Sequence, residues 1–338
     1  MMNLYTEQGW LDIATLSKQN AWLIVIVGAR QIGKTYGILK HLVSENRRFI
    51  YLRRTVDEVD LVTSSDDLNP FAPLAKEDIH VSFKKSGKVW LFGDAERDSY
   101  DRGLMVGLAT IAKMRGFSGG AFTDVFFDEF IPEKGVARRK SEGDALLNAY
   151  TTVNGNRELE GKPPLRLWLA ANAFDLASPI LKTFGLVNEL EKMRRQKKEV
   201  KLLNGGCLLV RPLSEAVTNA HRGTAMNAFI STRPAAATYL DTAVNNTFAY
   251  DDGSDVKPRS IAGHSPVCNA DGMFIYTNGT SVYVCRSAHN GKRFGNSASD
   301  RARCQITYPF IRALYNDGKV SFSDAEILLH FKEYFNLT

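Results

Sequence analysis

The run AWLIVIV at residues 21–27 passes directly into GARQIGKT at 28–35 and then into YGILKHLVSEN. An uninterrupted apolar run is the pattern of a strand buried on both faces, as in a parallel sheet. Behind the glycines, Ile38, Leu39, Leu42 and Val43 recur at helical spacing. A strand, a tight turn and a helix in this order demand an α/β layer architecture, with further strands beside the first and helices on both faces. The turn also fits G-x-x-x-x-G-K-[ST] in its required strand–helix context. Gly28 and Gly33 let the backbone curl so that the N–H groups of Ala29, Arg30, Gln31 and Ile32 face an anion, and the helix N-terminus adds partial positive charge. Lys34 is then the cation for β- and γ-phosphates, and Thr35 the hydroxyl ligand for Mg²⁺.

Further strands are legible downstream. RRFIYLRR (47–54), TDVFFDEF (123–130) and LRLWLAANA (165–173) read as the second, third and fourth. Between the second and third, IHVSF and KVWLFG flank KKSGK as a hairpin, and LMVGLATIAK reads as a strand or a helix. Asp128 ends the third strand, where its carboxylate can hold Mg²⁺ opposite Thr35, and Glu129 follows as the base that polarises water. This Asp-Glu pair marks NTPases that hydrolyse their nucleotide, since kinases take the nucleophile from their substrate. A guanine site would show N-K-x-D, and the chain has none, so ATP is the expected nucleotide.

Asn172, at the end of the fourth strand, is placed to orient water beside the γ-phosphate. Arg157, in the polar stretch NGNRELEG, reads as an exposed residue after a helix, better placed to reach a neighbour's phosphates than its own. Arg115 and Lys113 flank a Gly-rich loop and are candidates to face nucleotide or DNA. Arg53 and Arg54 read as a solvated strand end.

Beyond residue 190 come a second hairpin, VKLLNGGCLLVRP, turned at Asn204-Gly205, and an Ala/Thr/Asn-rich helical connector. A third hairpin, GMFIYTNGTSVYVC, turns at Asn278-Gly279, and two terminal helices follow, the last opened by Ser323 or Asp324. These shifts divide the chain into 1–212, 213–247 and 248–338. Forty-three Lys and Arg against 37 Asp and Glu leave it mildly basic, which permits a polyanionic partner without requiring one. The four cysteines form no C-x-x-C pair, so buried reduced thiols of a cytosolic protein are expected rather than a metal knot. Neither a signal peptide nor a membrane span is legible.

IVIVGARQIGKTYG, FIYLRRT, VFFDEFI, GNRE and LAANA, in this order and spacing, resemble the DNA-packaging ATPases of phi29-like phages. The resemblance is specific over residues 22–175 and is one of layout alone beyond 200. It implies an ASCE-type P-loop ATPase domain with a mainly parallel sheet, related to FtsK/HerA translocases. A small helical linker and an α+β C-terminal domain resembling a vestigial RNase H-like nuclease would follow. It implies a homomeric ring, a pentamer, docked on the portal of an empty procapsid in the host bacterial cytoplasm and driving double-stranded DNA inward. A packaging RNA is a further partner in the family. Lys34 and Thr35 would hold phosphates and Mg²⁺, Asp128 the metal, Glu129 the base, Asn172 the coupling residue, Arg157 a trans-acting finger and Arg115 a second trans cation. A vestigial nuclease would leave Asp241, Asp271, Asp300 and Glu326 without a shared metal, and Lys292, Arg293, Arg301 and Arg303 as phosphate contacts. Two other readings remain: a plasmid or conjugative DNA translocase, and a nucleic-acid-binding scaffold that does not hydrolyse.

Overall fold

The computed structural model describes residues 2–65, 68–113, 119–132, 141–172, 178–233 and 255–337. The chain forms two compact units, Met1–Phe184 with Met193–Tyr250, and Gly185–Lys192 with Asp251–Thr338.

The first unit is built on a nine-stranded sheet. Its strands are β1 (Leu23–Gly28), β2 (Phe49–Arg53), β3 (Val81–Ser86), β4 (Val89–Asp94), β5 (Gly103–Gly107), β6 (Asp124–Asp128), β7 (Arg166–Asn172), β8 (Val200–Leu203) and β9 (Cys207–Val210). The order β3-β4-β5-β2-β6-β7-β1-β9-β8 puts six parallel strands, from β5 across to β9, at the centre, with an antiparallel partner at each end. All six residues of β1 and all five of β6 are buried, as strands covered on both faces must be. Helices α1 (Ile13–Ser17), α2 (Lys34–Ser44), α3 (Val56–Thr63), α4 (Leu108–Ile111), α5 (Glu142–Asn154) and α6 (Pro179–Thr183) belong to this unit. On one sheet face Ile24, Ile26, Tyr51, Phe126 and Trp168 pack with Ile38, Leu39 and Leu42 of α2. Burial of such side chains is worth about 1.5–3 kcal/mol each, so this face fixes α2 firmly behind the glycine turn.

The LMVGLATIAK stretch is a strand and then a helix, β5 and α4, because Gly107 stops the one and its backbone caps the other. A Cβ on Gly107 would come within 2.8 Å of the Thr55 carbonyl carbon, so only glycine fits. The β8–β9 hairpin lies against β1 itself, and it turns through Asn204, Gly205 and Gly206, both glycines at positive φ. Helix α7 (Val187–Arg195) precedes it, and α8 (Glu215–Arg222) and α9 (Ala225–Ser231) follow. Ser214 caps α8, accepting from the Val217 N–H at 3.3 Å.

The second unit holds a five-stranded sheet of β10 (Ser265–Ala270), β11 (Met273–Thr277), β12 (Val282–Cys285), β13 (Lys292–Phe294) and β14 (Val320–Phe322). Three antiparallel strands form a meander, with β13 parallel to β10 on one side and β14 parallel to β12 on the other. Asp271-Gly272, both at positive φ, makes the first turn. The second is longer, and Asn278 closes it by accepting from the Thr280 and Ser281 N–H groups. Helices α10 (Ala298–Thr307), α11 (Phe310–Asn316) and α12 (Ala325–Phe335) complete it. Asp324 caps α12, while Ser323 donates to the Asp324 carboxylate. All four cysteines are free and buried. No helix among the described residues is long and apolar enough to cross a membrane.

Candidate nucleotide site

The site lies at the C-terminal ends of the central parallel strands, where the loops leave a cleft of about 330 Å³. β1 delivers Gly28, and Ile32, 2% exposed, pins the loop into the core. Gly33, at φ +87°, turns the chain into α2 in a left-handed conformation that favours glycine. Lys34 is buried, and its ammonium donates to the carbonyls of Gly28 (3.1 Å) and Ala29 (2.5 Å) and to Asn172 Oδ1 (3.1 Å). Burial lowers its pKa to about 8, against the opposing pull of Asp128 and Glu129. A phosphate arriving here meets a cation already folded back under the loop. Arg30 and Gln31 line the outer side of the same cleft.

Asp128 is the hub. Its carboxylate accepts from Thr35 Oγ1 (3.0 and 3.1 Å), Tyr51 OH (2.9 Å) and the Glu129 N–H (3.1 Å), and pairs with Arg53 Nη1 at 3.4 Å. Burial pushes its pKa up and Arg53 pulls it down; the net shift is upward. The Thr35 hydroxyl and the Asp128 carboxylate are hard oxygen donors in contact, a set that suits Mg²⁺. Glu129 adopts φ +51°, costly for a non-glycine residue by about 1–3 kcal/mol. That turn sends Phe130 into the core and leaves the Glu129 side chain about half exposed at the cleft.

Lys34, Thr35, Asp128, Glu129 and Asn172 thus converge, as the sequence suggests. The sequence also suggests a solvated strand end at Arg53, and here the structure differs. The Arg53 side chain is 12% exposed and bridges Asp128 to Glu129, reaching Glu129 Oε2 at 3.0 Å. Arg54 is buried too, paired with Glu142 at 2.6 Å. The pairing of β2 with β6, Leu52 opposite Phe127, puts Arg53 and Asp128 side by side, a relation visible only once the strand order is known.

Arg157 departs most from expectation. It is 7% exposed, not a surface residue. Its guanidinium donates to the carbonyls of Pro163 (3.2 Å), on the chain that leads into β7, and of Phe122 (2.8 Å) and Gly120 (3.2 Å), on the chain that leads into β6. That is the end of β6 opposite Asp128, and any reach toward a neighbour requires breaking all three hydrogen bonds. Arg115 lies outside the described residues, as does Asp241. In the second unit Asp271 pairs with His330 (2.9 Å), Asp300 with Arg303 (3.4 Å) and Glu326 with Arg286 (2.7 Å). No described group of three His, Cys, Asp or Glu could hold a metal. Lys292 and Arg303 flank the Phe294 ring at 5.4 and 5.9 Å, and both are exposed, as is Arg293; Arg301 is half-buried.

A mainly parallel sheet carrying this cradle, with an Asp-Glu pair two strands away, defines the class by fold: that of the P-loop NTPases. The chain belongs to the Podovirus DNA encapsidation protein (Gp16) family, which matches residues 10–292. It is 27% identical over 240 residues to a DNA packaging protein of Bacillus phage B103, covering 70% of this chain and 67% of that one. The fold is similar to that of the Phi-28 gp11 DNA packaging motor, with a TM-score of 0.59, 15% identity, and 98% of this chain and 99% of that chain covered. The N-terminal domain of the bacteriophage phi29 DNA packaging ATPase is 24% identical over 63% of this chain and 97% of its own, with a TM-score of 0.45.

Proposed function

We propose that the chain hydrolyses ATP with Mg²⁺ and uses the energy to drive double-stranded phage DNA into a procapsid, acting as a homomeric ring at the portal in the host cytoplasm. The contact of Thr35 with Asp128, beside Glu129 and a buried Lys34, carries the reading, because it puts phosphate, metal and water-activating groups in one cleft. Thr35 and Asp128 would hold Mg²⁺, which would supply neutralisation of phosphate charge. Lys34 grips the phosphates by exchanging its carbonyl partners for them. Glu129, positioned by Arg53, takes a proton from the water that attacks the γ-phosphorus, and ADP leaves. Asn172, already on the Lys34 ammonium, senses whether that ammonium is engaged by phosphate. The basic surface of Lys292, Arg293 and Arg303 supplies phosphate contacts in the second unit, which this reading treats as a nuclease-derived, non-cleaving module.

Lys34→Ala and Glu129→Gln test the proposal. Wild type is expected to hydrolyse ATP and package DNA into procapsids, and both variants to lose these activities, with Glu129→Gln still binding nucleotide. Equal ATP turnover in all three would refute it. DNA affinity is expected to fall steeply with salt, since a translocase grips phosphates of any sequence.

A further inference from the structure

The cleft described above is furnished for phosphates and metal. Its lining is almost wholly polar, and the one ring among the lining residues is that of Tyr36. Tyr36 is the nearest ring on α2, and its hydroxyl is tethered to Glu77 at 2.9 Å.

Just outside stands an indole. Residues 4–12 form a tight turn: the Thr6 N–H donates to the Trp10 carbonyl (2.8 Å), the Gly9 N–H to Thr6 (2.9 Å) and the Asp12 N–H to Leu4 (2.9 Å). The turn is anchored on two sides. The Leu11 N–H donates to the carbonyl of Ile32 within the glycine loop at 3.2 Å. Ser214 Oγ donates to the Gly9 carbonyl at 2.8 Å, and Tyr5 OH bonds Glu199 and receives the Leu213 N–H. Leu4 and Leu11 are buried, yet Trp10 between these anchors is 45% exposed. A Cβ placed on Gly33 would lie 3.7 Å from Trp10 Cβ and 3.8 Å from Cε3. A large exposed ring on a fixed turn, touching the last glycine before Lys34, is a binding surface already held in place.

We propose that Trp10 is the stacking platform for the base of the bound nucleotide. The inference rests on the reading of residues 28–35 as a nucleotide cradle. Every base has a π-face, so this platform adds affinity without strong choice among bases.

The test compares binding of Mg-ATP and of inorganic tripolyphosphate to the full chain and to its Trp10→Ala and Trp10→Phe variants. Trp10→Ala is expected to weaken ATP about 10- to 100-fold, Trp10→Phe much less, and tripolyphosphate to bind all three proteins alike. Unchanged tripolyphosphate affinity also shows that the loop has kept its shape. A parallel loss of both ligands would make Trp10 a prop for the loop and overturn the proposal. Unchanged ATP affinity in Trp10→Ala would overturn it equally. A wild-type chain that binds neither ligand would instead sink the cradle reading beneath it.

Discussion

Replacing Arg157 by alanine removes a buried cation from three backbone carbonyls, those of Gly120, Phe122 and Pro163. Hydrogen bonds from a charged donor contribute about 1.5–3 kcal/mol each, and an acceptor left buried without a partner costs about 1–3 kcal/mol. The three share one guanidinium and do not add, so a total of about 3–5 kcal/mol is the sensible figure. In a unit of this size each kcal/mol lowers Tm by about 2–4 °C, which makes the expected drop on the order of 10 °C. Thermal unfolding followed by circular dichroism reads it directly. Trp10→Phe, which leaves every buried hydrogen bond in place, serves as the reference for an innocuous change. Arg157→Lys is expected to fall between, because one ammonium cannot span three carbonyls. A surface finger would behave in the opposite way, losing turnover while Tm stays put. An Arg157→Ala protein that melts within about 2 °C of wild type, against the drop worked above, would refute the clamp.

Lys34, with its pKa near 8, must be protonated to hold phosphate, so tripolyphosphate affinity should be flat below pH 8 and fall up to about tenfold per pH unit above it. Titrations from pH 7 to 9.5 at fixed ionic strength check this, and a flat profile would mean that the ammonium is charged throughout. Arg53→Ala removes the cation that holds Glu129, and turnover should drop about 10- to 100-fold with nucleotide affinity little changed. A parallel loss of affinity would show Arg53 to be a phosphate ligand instead. Asp324→Ala removes both the cap of α12 and a partner of Arg286, and should cost about 1 kcal/mol in urea unfolding.

The cradle is legible in the sequence because its chemistry is local: eight consecutive residues between an apolar strand and an amphipathic helix carry both the geometry and the reason for it. Asp128 and Glu129 are legible because they end an apolar run. Arg53 is not, since its role depends on β2 and β6 being neighbours, and the sequence separates them by a hairpin, a further strand and the helices α3 and α4. Arg157 is hidden because its neighbours are so plainly exposed, Leu159 to 87%. In a non-periodic turn, one inward-facing residue leaves no pattern. In the second unit β13 and β14, each three residues long and partly polar, are too short to show alternation. Their pairing rests on backbone bonds to strands already formed.

The placement of β1 sets a schedule for synthesis. Leu23 pairs with Leu167 on one side and with Cys207 on the other, so the strand that carries the phosphate loop is made long before either partner. At about 5–20 residues per second, β1 waits roughly ten to forty seconds for its second partner. Throughout that time an apolar strand has an unpaired edge, a hazard for association between nascent chains. Tyr5 waits as long for Glu199 and Leu213. An expression fragment of the nucleotide-binding unit therefore has to run past Ser214. A fragment that stops before residue 207 would keep every residue of the cradle and still leave its central strand open to the next copy.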